Sequence, residues 1–249
     1  MAALLEQVAL FRGLQRSDLA AALQGERLVA EKLYSSRPVY TAFRPGSSLN
    51  FLYGILSGGP VIVRSTPLDR IIAMTYGGSC FGMQNLAFGY GLVSQGFPSQ
   101  VEAYKTTDIV KIPVAAVERL YQQDGGFRDR YALLFGLRDK FQYHLLNCST
   151  YPPQAVASLL RALVYQERSL GIQPQADGIF RFDLPVDLIA RACQLNHRTV
   201  EQVLKGMVKV GLLQKAKGED CDRVTVLDPE GLKEVYGATR DKVSWWPLK

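Results

Sequence analysis

The stretch from Leu184 to Gln214 constrains the fold of this chain more than any other segment. It carries two apolar stripes at helical spacing: Leu184, Leu188, Ile189 and Ala192 in the first, and Val200, Val203, Leu204 and Met207 in the second. The residues between the stripes are polar apart from Leu195, and Asn196 is placed to accept a hydrogen bond from a free amide of the next turn. The pattern predicts two short helices joined by a tight connection, with Gly211 at the end of the second.

A predicted hairpin follows these two helices. Residues 213–217 and 223–227 alternate as strands do, and Gly218, Glu219 and Asp220 lie in the turn between them. Two helices followed by a hairpin are typical of a winged helix-turn-helix, and the alternative is an ordinary helical hairpin in an enzyme core. Residues 191–217 include six basic side chains and one acidic side chain, which favours a surface that faces phosphate groups.

The second helix and the hairpin supply the candidate DNA contacts. Base edges are the expected partners of His197, Arg198 and Gln202, because these side chains form the hydrogen bonds that distinguish bases in the major groove. Thr199 lies among them at the start of the helix. Phosphate groups are the expected partners of four lysines, Lys205, Lys209, Lys215 and Lys217.

The composition of the 249 residues restricts the class of protein. The formal charge of +6 and a pI near 9.1 are compatible with a nucleic-acid partner, and 47% hydrophobic residues can form the core of one large domain or two modest ones. No apolar run approaches the roughly 20 residues that span a bilayer, so no membrane partner is expected. The N-terminus lacks the pattern of a secretory signal, so we expect a cytoplasmic protein.

The sequence contains no pattern that predicts a metal site or an enzyme active site. Only two histidines are present, and no C-x-x-C pair occurs among Cys80, Cys148, Cys193 and Cys221, so no metal site is predicted. The glycines at 77, 78 and 82 lack the strand-to-helix context and the lysine of a phosphate-binding loop. Since no nucleophile–base constellation is present either, we expect no catalytic residues and no enzyme activity.

The secondary structure predicted for the residues before the helix-turn-helix changes from helices to strands and back to helix. Residues 1–24 are typical of two short helices, and from about 26 to 113 short apolar segments alternate with turns, which predicts a sandwich or barrel. A long helix is predicted from about 127 to 149. Tyr151-Pro152-Pro153 ends it at a predicted hinge, because proline disfavours helix in the residue before it.

The long helix carries a heptad-like seam formed by Phe127, Tyr131, Leu134, Arg138, Phe141, Leu145 and Cys148. Such a seam predicts a helix that pairs with a copy of itself, and the alternative is one helix that lies on its own domain. Arg138 interrupts the apolar pattern. It can set the pairing register, bind an effector near the dimer axis or extend to solvent.

Several motifs resemble those of the cyclic-AMP receptor protein (CRP/FNR) superfamily of transcription regulators. Residues 43–47 (FRPGS), 56–59 and 77–82 (GGSCFG) resemble its jelly-roll effector domain. Residues 196–205 (NHRTVEQVLK) resemble its recognition helix. The resemblance covers nearly the whole chain, in the order of elements that the family has.

The resemblance implies an α+β fold in three parts. These are a cyclic-nucleotide-binding-like jelly-roll β-barrel over 1–124, a dimerisation helix and hinge over 125–151, and a winged helix-turn-helix over 152–249. It also implies a homodimeric transcription regulator that binds a two-fold symmetric double-stranded DNA operator, with RNA polymerase or another regulator as a further partner. Relatives that read a TGTGA-like half-site carry Arg, Glu and Arg where this chain has His197, Arg198 and Gln202, so we expect a different half-site.

The effector cassette departs from the pattern of the cyclic-AMP-binding relatives. Met83 stands where they hold the ribose with Glu, and Pro98-Ser99 stands near their Arg-Ser pair, so a bound phosphate would lack its cation. Cyclic AMP held in the usual way is therefore not expected. Three possibilities stay open: cyclic di-GMP, a small metabolite such as 2-oxoglutarate, or a protein partner with no small molecule.

Arginine can pair with phosphate and stack on guanine, so the candidate effector ligands are Arg37, Tyr40, Arg44, Arg64, Arg70 and Arg138. Cyclic di-GMP is the candidate effector, and no other cofactor is assigned. A competing function is a signalling module that keeps this fold but acts by protein contact. The Trp245-Trp246 tail motivates it, since the tail is expected to be exposed and can cover an apolar patch or bind a partner.

Overall fold

A computed structural model describes residues 1–35, 38–42, 50–65, 69–83, 99–146, 151–174, 176–215, 222–238 and 243–246. The chain divides into two compact units, residues 1–138 and 139–249. This division falls within the long helix, and the three-part division at 124 and 151 stays a prediction. No helix in the described parts of the chain combines the length and the apolar character that crossing a membrane requires.

The first unit contains short helices followed by eight described strands and two further helices. It begins with α1 (Ala2–Gln7), a 3-10 helix (Ala9–Phe11) and α2 (Arg16–Leu23). The strands are β1 (Val29–Leu33), β2 (Pro38–Ala42), β3 (Phe51–Ser57), β4 (Val61–Ser65), β5 (Arg70–Thr75), β6 (Cys80–Phe81), β7 (Ser99–Ala103) and β8 (Thr107–Pro113). The helices α3 (Val114–Gln123) and α4 (Gly125–Leu146) follow, and α4 continues past the boundary of the unit.

The strands form two four-stranded antiparallel sheets in the orders β1-β8-β3-β6 and β2-β7-β4-β5. Side chains from both sheets meet in one apolar cluster formed by Leu33, Tyr53, Ile55, Phe81 and Ile109 from the first sheet and Val61, Val101 and Ala103 from the second. Alternating residues of paired strands point to one face, which explains how two sheets enclose a common core. This arrangement confirms the expected α+β fold with a barrel-like N-terminal domain.

The turn after β6 depends on Gly82. Its backbone has a φ of +80°, and a Cβ atom at this position would lie 2.9 Å from Cδ2 of Tyr53. The ring of Tyr53 stacks on that of Phe81, with centroids 4.6 Å apart. Glycine is therefore required here both for the backbone conformation and for the space beside the aromatic pair.

Much of the apolar seam of α4 is covered by the chain itself, although Leu145 is half-buried. Four of its positions are at most 5% exposed in the single chain: Phe127, Tyr131, Leu134 and Phe141. Ring centroids are 5.4 Å apart for Phe127 and Phe11, and 5.6 Å apart for Tyr131 and Tyr121. The prediction that these four positions pair with a second copy is therefore wrong, because their surface is already buried within one chain. Cys148 lies outside the described residues.

The described residues of the second unit form four further helices and a small sheet. Its elements are α5 (Pro152–Leu170), β9 (Phe180–Asp183), α6 (Val186–Cys193), α7 (His197–Lys209), β10 (Leu213–Lys215), β11 (Arg223–Val226) and α8 (Pro229–Gly237). The strands pair antiparallel in the order β10-β11-β9. α5 begins at Pro152, where proline is tolerated because an amide in the first turn has no acceptor within the helix. The helix ends before Gly171, which has a φ of +61°.

Glu167 is a buried carboxylate in the last part of α5. The residue is 1% exposed, and its Oε2 accepts a hydrogen bond from Nε2 of Gln173 at 3.4 Å. Its Oε1 has no hydrogen-bond partner among the described residues. Burial penalises the charged form and raises the pKa of this carboxyl to about 7, although the hydrogen bond from Gln173 acts in the opposite direction.

We expect Glu167→Gln to stabilise the protein more at pH 8 than at pH 5. The unfolded carboxyl ionises near its ordinary pKa of 4.5, whereas the folded carboxyl keeps its proton up to a pKa of about 7. The stability that the neutral acid contributes is therefore fully present below about pH 4.5 and is lost as the pH rises through 7. Urea unfolding should show that the advantage of the glutamine variant grows by about 2–3 kcal/mol over this interval.

The matched control is Glu234→Gln, which removes an exposed carboxylate from α8. It shows how much of the effect of Glu167→Gln comes from the loss of one negative charge alone. An advantage of Glu167→Gln that is the same at pH 5 and pH 8 would contradict the assignment of a neutral buried acid.

Candidate nucleic-acid interface

The connection between α6 and α7 has a defined backbone geometry. Gln194 follows the last residue of α6 with a φ of +55°, and the Leu195 amide then donates to the carbonyl of Ala190 at 3.0 Å. The side-chain Oδ1 of Asn196 accepts a hydrogen bond from the amide of Thr199 at 2.8 Å. This contact confirms the predicted N-cap, and it fixes where α7 begins.

α7 presents an apolar side to the unit and a polar side to solvent. Four side chains are at most 3% exposed: Val200, Val203, Leu204 and Met207. They lie on the side of α7 that packs against α5 and α6. Thr199 is half-buried, and the exposed side chains are His197, Arg198, Gln202, Lys205 and Lys209. Spacings of four, three and four residues place the last four of these on one face of the helix.

The exposed face of α7 has an excess of positive charge. Among the residues that the structure describes, no carboxylate forms an ion pair with Arg198, Lys205 or Lys209. An acidic contact on the helix joins Nδ1 of His197 to Oε1 of Glu201 at 4.0 Å, and the two side chains are 59% and 41% exposed. Unpaired cations on one exposed face attract a polyanion.

The hairpin that follows α7 is tied to the helix through Leu212. Its amide donates to the carbonyl of Met207 at 3.0 Å, and its own carbonyl accepts from the amide of Leu227 at 3.0 Å. β10 and β11 then pair from Leu213 opposite Val226 to Lys215 opposite Val224. The backbone of Lys215 therefore lies in the hairpin as predicted, while its side chain and the whole of Lys217 lie outside what the structure describes.

Arg64, a candidate effector ligand, takes part in an ion-pair network inside the first unit. Its Nη1 contacts the carboxylate of Asp69. Its Nη2 donates to Oε1 of Gln100 at 2.7 Å and to Oε2 of Glu102 at 3.1 Å. The side chains of Arg64 and Glu102 are only 16% and 15% exposed. Two carboxylates thus offset the charge of this guanidinium, which weakens its attraction to a phosphate.

The remaining candidate effector residues are distributed over other elements. Arg70 is exposed at the start of β5. Arg138 donates from Nη1 to the carbonyl of Met83 at 3.3 Å, and its guanidinium lies 5.6 Å from the centroid of Phe135. The last three predictions lie outside the described side chains: Tyr40, whose backbone is in β2, and Arg37 and Arg44. β4 and β5 pair with Ser65 opposite Arg70, so Arg64 and Arg70 lie on neighbouring strands, and the six residues as one effector site stay a prediction.

Comparison with solved structures identifies the fold. No protein-family model and no curated protein matches the chain. FixK2 from Bradyrhizobium japonicum matches with a TM-score of 0.62 at 14% identity, over 84% of this chain and 97% of that chain. A CooA mutant from Carboxydothermus hydrogenoformans matches with a TM-score of 0.58 at 16% identity, over 90% and 97%. A CRP/FNR-family transcriptional regulator from Thermus thermophilus matches with a TM-score of 0.50 at 15% identity, over 84% and 98%.

The chain has the CRP/FNR fold. The matches extend over most of its length and over nearly all of each solved chain, so they include both the barrel of the first unit and the helices of the second. At these identities the likeness concerns the fold alone. The roles of individual residues rest on the geometry of this chain.

Within the CRP/FNR fold, the position after Gly82 has an apolar side chain. Met83 is 7% exposed, and its backbone carbonyl accepts a hydrogen bond from Arg138. A thioether is a weak acceptor and carries no charge, so it cannot replace a carboxylate that holds ribose hydroxyls. This burial supports the expectation that cyclic AMP is not held in the usual way. Pro98 lies outside the described residues.

Two features of the second unit were missed by the sequence interpretation. Trp246 is 3% exposed, so the expectation of an exposed tail is wrong for this residue. Trp245 lies against Gly206 in the last turn of α7, where an added Cβ would be 2.3 Å from Cε3 of the indole. The available signal was Gly206 itself, because glycine in a helix interior is unfavourable and often marks a close approach.

We expect Asn196→Ala to lower the free energy of unfolding by about 1 kcal/mol, because the amide of Thr199 would lose its acceptor at the start of α7. Asn196→Ser is the matched control, since its hydroxyl can accept the same hydrogen bond. Urea unfolding of the two variants provides the measurement. Equal losses for alanine and serine would contradict the capping role.

Proposed function

We propose that this chain is a sequence-specific DNA-binding transcription regulator that acts as a homodimer. The observation that carries the proposal is the exposed, cation-rich face of α7, which a buried apolar stripe and a capped N-terminus hold outward. The CRP/FNR fold supports it, since a solved chain with this fold is a transcriptional regulator. An α-helix fits the major groove of B-DNA, and two such helices related by a two-fold axis would meet half-sites about one turn apart.

The exposed side chains of α7 divide into two groups by chemistry. Arg198 can donate two hydrogen bonds to guanine, Gln202 can pair with adenine, and His197 stands beside them at the helix start, with Thr199 at the flank. The ammonium groups of Lys205 and Lys209 suit phosphates, as do those of Lys215 and Lys217, which the sequence predicts in the hairpin. Base contacts would select the operator, whereas phosphate contacts would orient the protein on it.

Alanine variants should separate the two groups. Arg198→Ala should cost about 1–3 kcal/mol on the preferred operator and reduce discrimination at one base pair, because a guanine contact is lost. Lys209→Ala should weaken binding to all sequences alike and reduce the slope of log K against log salt by about 1, because one counterion fewer is released. Fluorescence anisotropy at several salt concentrations measures both.

The matched control is Lys233→Ala, which removes an exposed cation from α8 rather than from α7. It should leave operator affinity and the salt slope unchanged. Operator binding that survives both Arg198→Ala and Lys209→Ala at full strength would contradict the assignment of α7 as the DNA-reading helix.

The proposed dimer contact lies on the exposed face of α4 rather than on its buried seam. Ala132, Leu133 and Gly136 are exposed, and Leu133 retains 43% of its surface although it is a large apolar side chain. A Cβ atom at Gly136 would meet nothing within 4 Å. Small residues beside an exposed leucine allow two helices to approach closely, so this face suits a second copy of α4.

Leu133→Glu should convert the dimer to monomers, because it would place two carboxylates near the symmetry axis of an apolar contact. Sedimentation velocity should detect the change, and affinity for a two-fold symmetric operator should fall with it. The control is Gln123→Glu, which adds the same charge at an exposed position of α3. A Leu133→Glu protein that sediments as wild type would contradict this contact.

The proposed effector is a ligand other than cyclic AMP, with cyclic di-GMP as the first candidate. Buried Met83 replaces the ribose-binding carboxylate, and Arg138 lies beside it with its guanidinium near the ring of Phe135. An arginine next to an aromatic ring suits a guanine-containing anion, because guanidinium groups both stack and pair with phosphate. The two carboxylates on Arg64 weaken the case for that residue.

Calorimetric titration tests the effector, with cyclic AMP and 2-oxoglutarate as comparators. Cyclic di-GMP should bind saturably, and Arg138→Ala should weaken the binding by at least about tenfold, or about 1.4 kcal/mol. Arg128→Ala, at an exposed position of the same helix, is the matched control. The absence of measurable binding of cyclic di-GMP would contradict this candidate effector. Binding of 2-oxoglutarate would instead identify a small metabolite as the effector.

A second candidate function is a regulator that acts by protein contact and binds no small molecule. The ion pairs of Arg64 with Asp69 and Glu102 favour it, because this arginine then stabilises the barrel and is not available to bind a phosphate of a ligand. A double variant, Arg198→Ala with Lys205→Ala, distinguishes the two functions in cells. Loss of promoter occupancy together with loss of regulation supports the DNA-binding regulator, whereas regulation that persists without promoter occupancy supports protein contact.

A further inference from the structure

The C-terminal residues 243–246, here called the tail strap, are attached to two elements of the second unit. The amide of Val243 donates to the phenol oxygen of Tyr151 at 3.0 Å, and Tyr151 is the N-cap residue of α5. The amide of Trp246 returns to the carbonyl of Val243 at 3.2 Å, which closes a turn. Trp246 is 3% exposed, so this short segment is anchored by an almost completely buried indole.

Trp245 supplies the second attachment, on α7. An added Cβ at Gly206 would lie 2.3 Å from Cε3 and 2.6 Å from Cζ3 of the Trp245 ring. No real Cβ atom tolerates such distances, so the ring rests directly on the helix backbone and only glycine fits beneath it. This contact accounts for a residue that is among the least favourable in a helix interior.

The position of Gly206 places the indole beside the face proposed to read DNA. Gly206 follows Gln202 by four residues, which corresponds to about 40° around the helix axis, and Thr199 lies on the same flank. The ring therefore borders the exposed face without covering its centre. It opposes a roll of α7 towards this flank, and the hydrogen bond to Tyr151 holds the strap against the start of α5.

We propose that the tail strap is a positioning element for the recognition helix, in which Trp245 and Tyr151 set the orientation of α7 through Gly206. The inference rests on the proposed DNA-binding function and deepens it, because it assigns operator discrimination in part to residues outside the helix-turn-helix. Trp245 acts through the backbone of α7 and is a positioning residue. Its loss alters how well base contacts align, whereas phosphate contacts, which tolerate small displacements, persist.

The docking contact is tested in the full-length protein without DNA. Gly206→Ala should lower the melting temperature in the wild-type background, because the methyl group displaces the indole. The same substitution should raise the melting temperature in a Trp245→Ala background, because alanine is the better helix former once the ring is gone. Gly237→Ala, at a glycine where an added Cβ meets nothing within 4 Å, is the matched control and should not lower it.

Intrinsic fluorescence gives an independent readout of the same contact. The chain contains 2 tryptophans, and both belong to the strap. Gly206→Ala should shift their emission to longer wavelength as the indole moves into water, whereas Gly237→Ala should not. An unchanged spectrum together with a raised melting temperature for Gly206→Ala in the wild-type background would overturn the docking contact.

The functional step is tested on an operator selected by the wild-type protein from random duplex DNA, at a temperature where every variant is folded. Trp245→Ala should weaken operator binding about tenfold, or about 1.4 kcal/mol, and leave binding to unrelated DNA unchanged. Tyr151→Phe should act in the same direction. An unchanged ratio of operator to non-specific affinity in the Trp245→Ala protein would overturn the positioning role. If the wild-type protein selects no operator, the proposed function fails, and the melting and fluorescence experiments still decide whether the strap docks.

Discussion

The burial of one side of α7 is the interaction on which the rest of the proposed DNA-binding site depends. Val200, Val203, Leu204 and Met207 are almost completely withdrawn from water, and each such side chain contributes about 1.5–3 kcal/mol on burial. Turning the helix by a single residue, about 100°, would expose part of this stripe and move polar side chains inward. The hydrophobic effect therefore decides that Arg198 and Gln202 face outward. The cap at Asn196 and the indole on Gly206 refine that orientation.

This part of the structure could be predicted from the sequence because its determinants are local. The apolar residues of α7 and its N-cap residue all lie within about four helical turns. The period of the helix therefore predicts which of them share a face and where the helix begins. The hairpin after Gly211 follows from alternation in the same way. The barrel was predictable as a class of fold from short strands separated by turns, although its strand order depends on contacts that no local pattern encodes.

The features that escaped prediction depend on residues far apart in the chain. A four-three spacing in α4 indicates an apolar stripe but does not tell whether the stripe meets a second copy or the same chain, and here Phe127 packs on Phe11. A cluster of arginines indicates a site for an anion only if these arginines are not already paired with carboxylates of the same chain. Arg64 contacts Glu102, which a neighbouring strand brings to it. Trp245 reaches Gly206 by the same kind of long-range contact, so the tail had no local signal beyond the glycine.

The proposal that α7 reads DNA as one of a symmetric pair can be tested by selecting bound duplexes from a random pool with the purified protein and sequencing them. We predict enrichment of an inverted repeat whose half-site centres are separated by about one helical turn, with half-sites that differ from TGTGA. Recovery of a pool with no enriched sequence, by a protein that is folded and dimeric, would contradict the claim and favour a regulator that acts by protein contact.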